Sequence, residues 1–229
     1  MNIFGKLFGK DKQSGPISWV KFDGGDFKML LNEPSRIFWQ SPAGIDQLIQ
    51  YSGPADWDFD LEDMDGARRF YGNQCASYNG VMLCLDKETV DGVDLLHGIF
   101  KYRAINQGMA MHFIGIIWIP FSDCIWQINI ESIERGTTGM REALVFSLHP
   151  DLERDVKQIP EEISSKFESP EDFLAYVKTQ PLKILASDED RFDSVVEKHP
   201  LTLVRRRMRS VLDTMQFAPE VQRLKKFKV

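Results

Sequence analysis

MAMHFIGIIWIPFSDCIWQINIESI, residues 109–133, is the stretch on which the fold turns. Its second half alternates: Trp126, Ile128 and Ile130 point one way, and Gln127, Asn129 and Glu131 the other. A period of two is a strand with one buried face and one face open to water or a partner. Its first half is apolar on both sides, with Met111, Phe113 and Ile117 against Ile114, Ile116 and Trp118. That pattern predicts a strand in mid-sheet, covered on both faces.

Upstream, VMLCLD (81–86) and VDLLHGIFKY (93–102) are two more strands, with Asp91-Gly92 as a hairpin signal between them. Residues 81–133 therefore predict a four-stranded antiparallel meander. Further back, ISWVKF (17–22) and FKMLLN (27–32) are predicted to form a hairpin through DGGD, and RIFWQS (36–41) a third strand. AGIDQLIQY (43–51) fits a short helix or a strand, and Gly53-Pro54 breaks the chain.

A helix is expected next, with Asp60 as N-cap and Leu61, Met64, Ala67, Tyr71, Cys75 and Tyr78 as its apolar stripe, stopped by Asn79-Gly80. Beyond residue 148 the pattern turns helical. Residues 149–168 form an acidic, proline-broken connector. Ser169-Pro170 opens one helix, and Ser187 opens another with Phe192, Val195 and Val196 as its stripe. HPLTLVRRRMRSVLDTM (199–215) carries Leu201, Val204, Met208, Leu212 and Met215 on one face and its arginines on the others, and a last short helix starts at Pro219. The expected class is α+β: an antiparallel sheet with its central meander at 81–133, flanked by helices, with the C-terminal helices packed on it. The expected organisation is a leader (1–15), a sheet domain (16–148) and a helical extension of the same globule (149–229).

Composition narrows the function classes. Apolar residues are 43% and charged residues 27%, and sixteen Phe with five Trp argue for a packed core rather than disorder. The net charge of −6 is uneven. From Pro200 to Val229 eight Arg and Lys face only Asp213 and Glu220, leaving +6 there and −12 elsewhere. A basic tail beside an acidic body reads as attraction within the fold, with no nucleic-acid partner. Cys75, Cys84 and Cys124 are odd in number and widely spaced, which reads as buried free thiols of a cytoplasmic protein, with no zinc spacing. No apolar run reaches the roughly 18 residues of a membrane span. Ile3, Phe4, Leu7 and Phe8 share one helical face, so residues 1–10 could touch a membrane surface or dock on the body.

ERGTTGMREA (134–143) follows the alternating strand. Thr137 or Thr138 could cap a helix there, and the free amides of a helix start, with Gly139 and the fork of Arg141, could cradle an anion or a partner's carboxylate. Walker-A spacing is missing, as are GxSxG, HExxH and a Rossmann glycine pattern. His97 and His112 fall in adjacent strands, where a polar side chain facing solvent or a partner is the simplest reading. The acids of DWDFDLEDMD (56–65) read as first-turn helix residues, and RRRMR (205–209) as arginines shared between the acidic body and solvent.

Residues 98–145 and 187–208 together resemble a group of uncharacterised bacterial proteins. The likeness rests on a strand ending in IPF, an ERGTTGMRE turn and a later HPL segment leading into an arginine-rich helix. It implies no chemistry. A helix followed by a long meander is also loosely similar to the PsbP-type α/β/α sandwich, used by adaptor and chaperone proteins. The expectation is a non-catalytic bacterial protein that binds another protein, in its most concrete form an immunity or adaptor protein for a toxin, with no cofactor and no metal. Its candidate binding residues are Thr137, Thr138, Gly139, Arg141, Gln127, Asn129 and Glu131. The competing expectation is a hydrolase working at the 134–142 turn with a sheet histidine.

Overall fold

The two strands quoted first sit in the middle of a seven-stranded antiparallel sheet. The computed structural model describes residues 16–105, 107–153, 167 and 169–229. The leader and nearly all of the connector at 154–168 lie outside the described residues. The central meander is present as β5 (Val81–Val90), β6 (Val93–Arg103), β7 (Met111–Pro120) and β8 (Ile125–Ile133). Asp91 and Gly92 both take positive φ (49° and 77°), the geometry a two-residue hairpin needs. Before them run β2 (Lys28–Glu33), β3 (Arg36–Gln40) and β4 (Ile45–Ser52), so AGIDQLIQY resolves as a strand. The order is β2-β3-β4-β8-β7-β6-β5, because β4 pairs with β8 from Ile45↔Ser132 to Ser52↔Ile125.

The predicted hairpin of 17–22 with 27–32 does not form. Residues Pro16–Trp19 are a 3₁₀ turn, and the two-residue β1 (Val20–Lys21) pairs instead with β9 (Gln216–Phe217). Two contacts draw the segment away: the Trp126 indole donates to the Pro16 carbonyl at 3.0 Å, and Ile17 is buried in the main core. Asp23, in the expected turn, gives its carbonyl to Arg207 at 2.7 Å.

Helices α1 (Met64–Ser77), α2 (Met140–Leu148), α3 (Pro150–Glu153), α4 (Pro170–Thr179) and α5 (Pro200–Thr214) complete the α+β fold. No helix among the described residues is long and apolar enough to cross a membrane. α1 starts three residues later than expected, capped by Asp63, whose carboxylate accepts from Gly66 N at 2.8 Å. Ala67, Tyr71 and Cys75 are its buried stripe, whereas Tyr78 lies outside, largely exposed. Asn79 ends it at φ 54°. The helix predicted from Ser187 is instead two 3₁₀ turns, Ala186–Asp188 and Asp190–Phe192. The carbonyls of Ser187 and Glu189 turn inward to accept from Arg141, which removes them from any α-helical ladder.

Two apolar cores lie on opposite faces of the sheet. On one face α5 lays Leu201, Val204, Met208, Val211 and Leu212 over Phe113, Ile117, Ile128 and Ile130. On the other, α1 packs Ala67, Tyr71 and Cys75 on Leu85, Leu96, Phe100 and Trp118. Cover on this second face is partial, contrary to the expectation for β7: Ile114 belongs to neither core. α5 approaches β7 closely over Gly115, where an added Cβ would meet Val204 Cγ1 at 2.9 Å and the Met208 side chain closer still. Gly115→Ala is therefore expected to destabilise the protein by about 1–3 kcal/mol through overpacking, read as a lowered urea midpoint at unchanged slope.

Candidate functional site

The second face divides into a covered and an open half. Over β5, β6 and the start of β8, α1 and the loop before it build an aromatic cluster in which Tyr71 lies 4.3 Å from Trp118, ringed by Trp57, Phe59, Phe100 and Phe227. Over β8, β4, β3 and β2 no described helix lies. Leu31, Phe38, Leu48 and Ile114 are half-buried there and join neither core.

Gln127, Asn129 and Glu131 run down the middle of this open half, as the alternation in β8 requires. They form a hydrogen-bonded ladder. Trp118 Nε1 donates to Gln127 Oε1 (3.2 Å), Gln127 Nε2 to Asn129 Oδ1 (2.7 Å) and Asn129 Nδ2 to Glu131 Oε1 (3.4 Å). His112 Nε2 closes the row on Glu131 Oε2 at 3.2 Å. The hydrogen bond from His112 holds the Glu131 carboxyl below the usual carboxylate range, against the upward push of burial. On the neighbouring strand, Asp46 stands directly opposite Glu131 and accepts from Gln40 Nε2 at 2.7 Å. Sequence reasoning missed Asp46, Leu48 and Gln50.

The 134–142 turn forms a different site. Gly139, at φ 75°, is the N-cap of α2, and neither threonine caps it. Thr137 is exposed and Thr138 half-buried. Arg141, expected to offer its fork outward, is fully buried (0% exposed). Its guanidinium donates to the carbonyls of Ser187 and Glu189, to Thr202 Oγ1 (2.9 Å) and to Asp193 Oδ1 (2.8 Å). Beside it Lys101 is buried on Asp188, with both oxygens at 2.9 Å.

Thr137 does line a shallow cleft of about 470 Å³, together with Glu134, Arg135, Met140, Lys198 and His199. Glu134 and His199 are buried as a pair: His199 Nε2 meets Glu134 Oε1 at 3.1 Å, and His199 Nδ1 accepts from Leu201 N at 3.2 Å. Both ring nitrogens are thus occupied, so His199 has no lone pair to act as a general base. Burial pushes the Glu134 carboxyl up, but hydrogen bonds from His199 and Met111 N outweigh it and leave the group below its ordinary range.

The predicted sheet histidines are also partnered by carboxylates, His97 by Glu88 at 3.4 Å and His112 by Glu131. They lie on opposite faces of the sheet, since His97 pairs with Ile117 and His112 with Ile133. Burial lowers the pKa of His97. The three cysteines are free thiols, and burial pushes each up, away from the reactive thiolate. No group of three or more His, Cys, Asp or Glu converges in metal-binding fashion among the described residues.

The arginines of RRRMR all meet groups of the same chain. Arg205 reaches Asp193 (3.0 Å), Arg206 Glu197 (3.7 Å) and Arg209 Glu88 (2.7 Å). Arg207, expected on an outer face, is buried against Gln47 Oε1 at 2.6 Å and over the Phe27 ring.

No protein-family model matches the sequence, and no curated protein sequence matches it. A crystal structure from Bacteroides thetaiotaomicron VPI-5482, at 1.50 Å resolution, aligns with a TM-score of 0.32 and 8% identity. The alignment covers 67% of this chain and 62% of that one.

Two measurements check these assignments. Arg141→Leu leaves the Ser187 and Glu189 carbonyls without their guanidinium donor and takes one of two arginines from Asp193, and a loss of about 3–5 kcal/mol in unfolding free energy is expected by denaturant titration; an arginine serving only a ligand would change stability by less than about 0.5 kcal/mol. Because the folded-state pKa of Glu134 is depressed, its contribution is present above the ordinary value of 4.5 and lost as pH falls through the lower folded value. Glu134→Gln should flatten that part of the stability–pH profile, followed by thermal unfolding between pH 5 and about pH 3.

Proposed function

We propose that this chain is a non-catalytic protein-binding module that docks its partner on the open half of the second sheet face. The observation that carries the reading is the Gln127–Asn129–Glu131–His112 ladder, set in order beside the half-buried Leu31, Phe38, Leu48 and Ile114. Apolar side chains and oriented hydrogen-bonding groups on one flat surface are the composition of a protein interface. Ordering matters energetically, since each side chain immobilised on binding costs about 0.5–1.5 kcal/mol. Here the ladder restrains four side chains before a partner arrives. An immunity or adaptor protein for a toxin would use such a surface, without turnover.

The buried Glu134–His199 pair favours the same reading over hydrolysis, because its hydrogen bonds tie α5 to the end of β8 and engage both ring nitrogens of His199. A photo-crosslinking side chain at Gln50, in cells that produce the chain natively, should give one discrete adduct. Leu48→Lys should cut its yield at least roughly ten-fold, the equivalent of 1.4 kcal/mol, without changing the thermal midpoint. A crosslinker at the exposed Lys183 serves as reference. Equal adduct patterns from Gln50 and Lys183, or indifference to Leu48→Lys, would exclude this face.

A further inference from the structure

We infer that the open face receives an arginine from a basic segment of its protein partner, seated across Asp46 and Glu131. The inference rests on the protein-binding reading above and adds the chemistry of the partner. Asp46 of β4 and Glu131 of β8 are direct cross-strand partners. Like charges placed so are destabilising unless something lies between them. Four other carboxylates hold a Lys or Arg of the same chain across elements: Asp188 has Lys101, Asp193 has Arg141 and Arg205, Glu88 has Arg209, and Asp94 has Lys226. Asp46 and Glu131 have no Lys or Arg within ion-pair distance among the described residues. Their hydrogen bonds come from Gln40, Asn129 and His112, which orient the two carboxylates.

The surroundings suit a guanidinium. Its planar fork can span two carboxylates, and it sheds water more readily than an ammonium. The row across the sheet reads Lys28, Gln40, Asp46, Glu131, Ile114; Gln40 stands between the exposed Lys28 and the acids, and an arginine stem would lie on Ile114 while its head meets them. Leu48, next along β4 on the same face, adds apolar floor. Arg36, the nearest cation on β3, is held by Glu33 at 2.6 Å and lies at the far end of that strand.

The test uses the full chain, isotope-labelled, and three acetylated, amidated octapeptides: alternating Arg-Thr, Lys-Thr and Glu-Thr. The Arg-Thr peptide is expected to shift the side-chain amide signals of Gln40 and Asn129, with a dissociation constant near 1 mM or tighter that weakens with salt. The Lys-Thr peptide should bind more weakly, and the Glu-Thr peptide should leave these signals unmoved. The doubly substituted chain, Asp46→Asn with Glu131→Gln, should keep its backbone spectrum and lose at least roughly ten-fold in affinity for the Arg-Thr peptide. The inference fails if those amides do not move, if shifts are confined to the acidic 56–65 loop, or if the double substitution leaves affinity unchanged. If the double substitution also leaves the Gln50 crosslink intact, the arginine is excluded while the protein-binding face stands; loss of the Leu48-dependent crosslink in the unsubstituted chain would instead remove the face itself.

Discussion

The pairing of β4 with β8 is the constraint on which the architecture rests. Two separate meanders, β2–β4 and β5–β8, become one sheet only through these eight cross-strand pairs. The join also creates both faces. On one side it aligns Ile49 with Ile128 and Gln47 with Ile130, the floor on which α5 sits. On the other it sets Asp46 against Glu131 and Leu48 against Asn129. A slip of one residue would invert every side chain of β4, so the register is fixed by the burial of Ile45 and Ile49. The open face is therefore a product of the packing beneath it.

Charge is arranged in the same inward-directed way. The −12 body and +6 tail meet as particular pairs, Arg205 with Asp193, Arg209 with Glu88 and Lys226 with Asp94. In the interior Lys101 with Asp188 and Arg207 with Gln47 link the helical region to the sheet, and Arg141 with Asp193 ties α2 to the 186–192 turns. Such contacts contribute little net stability compared with apolar packing, but removing one partner leaves an unsatisfied buried charge. They act as registration pins, holding α5 and the 186–192 turns in one position against β4 and β6.

Much of this was legible in the residues. The central meander follows from the alternation in 124–133 and the hairpin signal at Asp91-Gly92, and the α5 stripe from its helical spacing. What could not be read has physical causes. AGIDQLIQY was ambiguous because Gln47 faces inward, to accept from Arg207, while Leu48 faces outward; an apolar/polar alternation assigns both wrongly. The outward arginines expected at 141 and 207 lie inside, because their partners are carbonyls, an amide, a hydroxyl and the Asp193 carboxylate, spread along the chain from Asp23 to Thr202. The 3₁₀ turns replaced a well-signalled helix because Arg141 claims two of its carbonyls. For the binding face, the polar side of β8 was visible and the acid opposite it was not, since that depends on which strand becomes its neighbour.

The strap formed by β1 and β9 bears on how the chain comes off the ribosome. Val20 cannot meet Phe217 until nearly two hundred further residues have been synthesised. Contacts of such sequence separation form late and slowly. Ile17 and Val20, apolar and bound for the main core, must wait through translation without their cover. This edge of the core therefore closes only once α5 and β9 have emerged, and until then the nascent chain carries apolar surface that the finished protein does not expose.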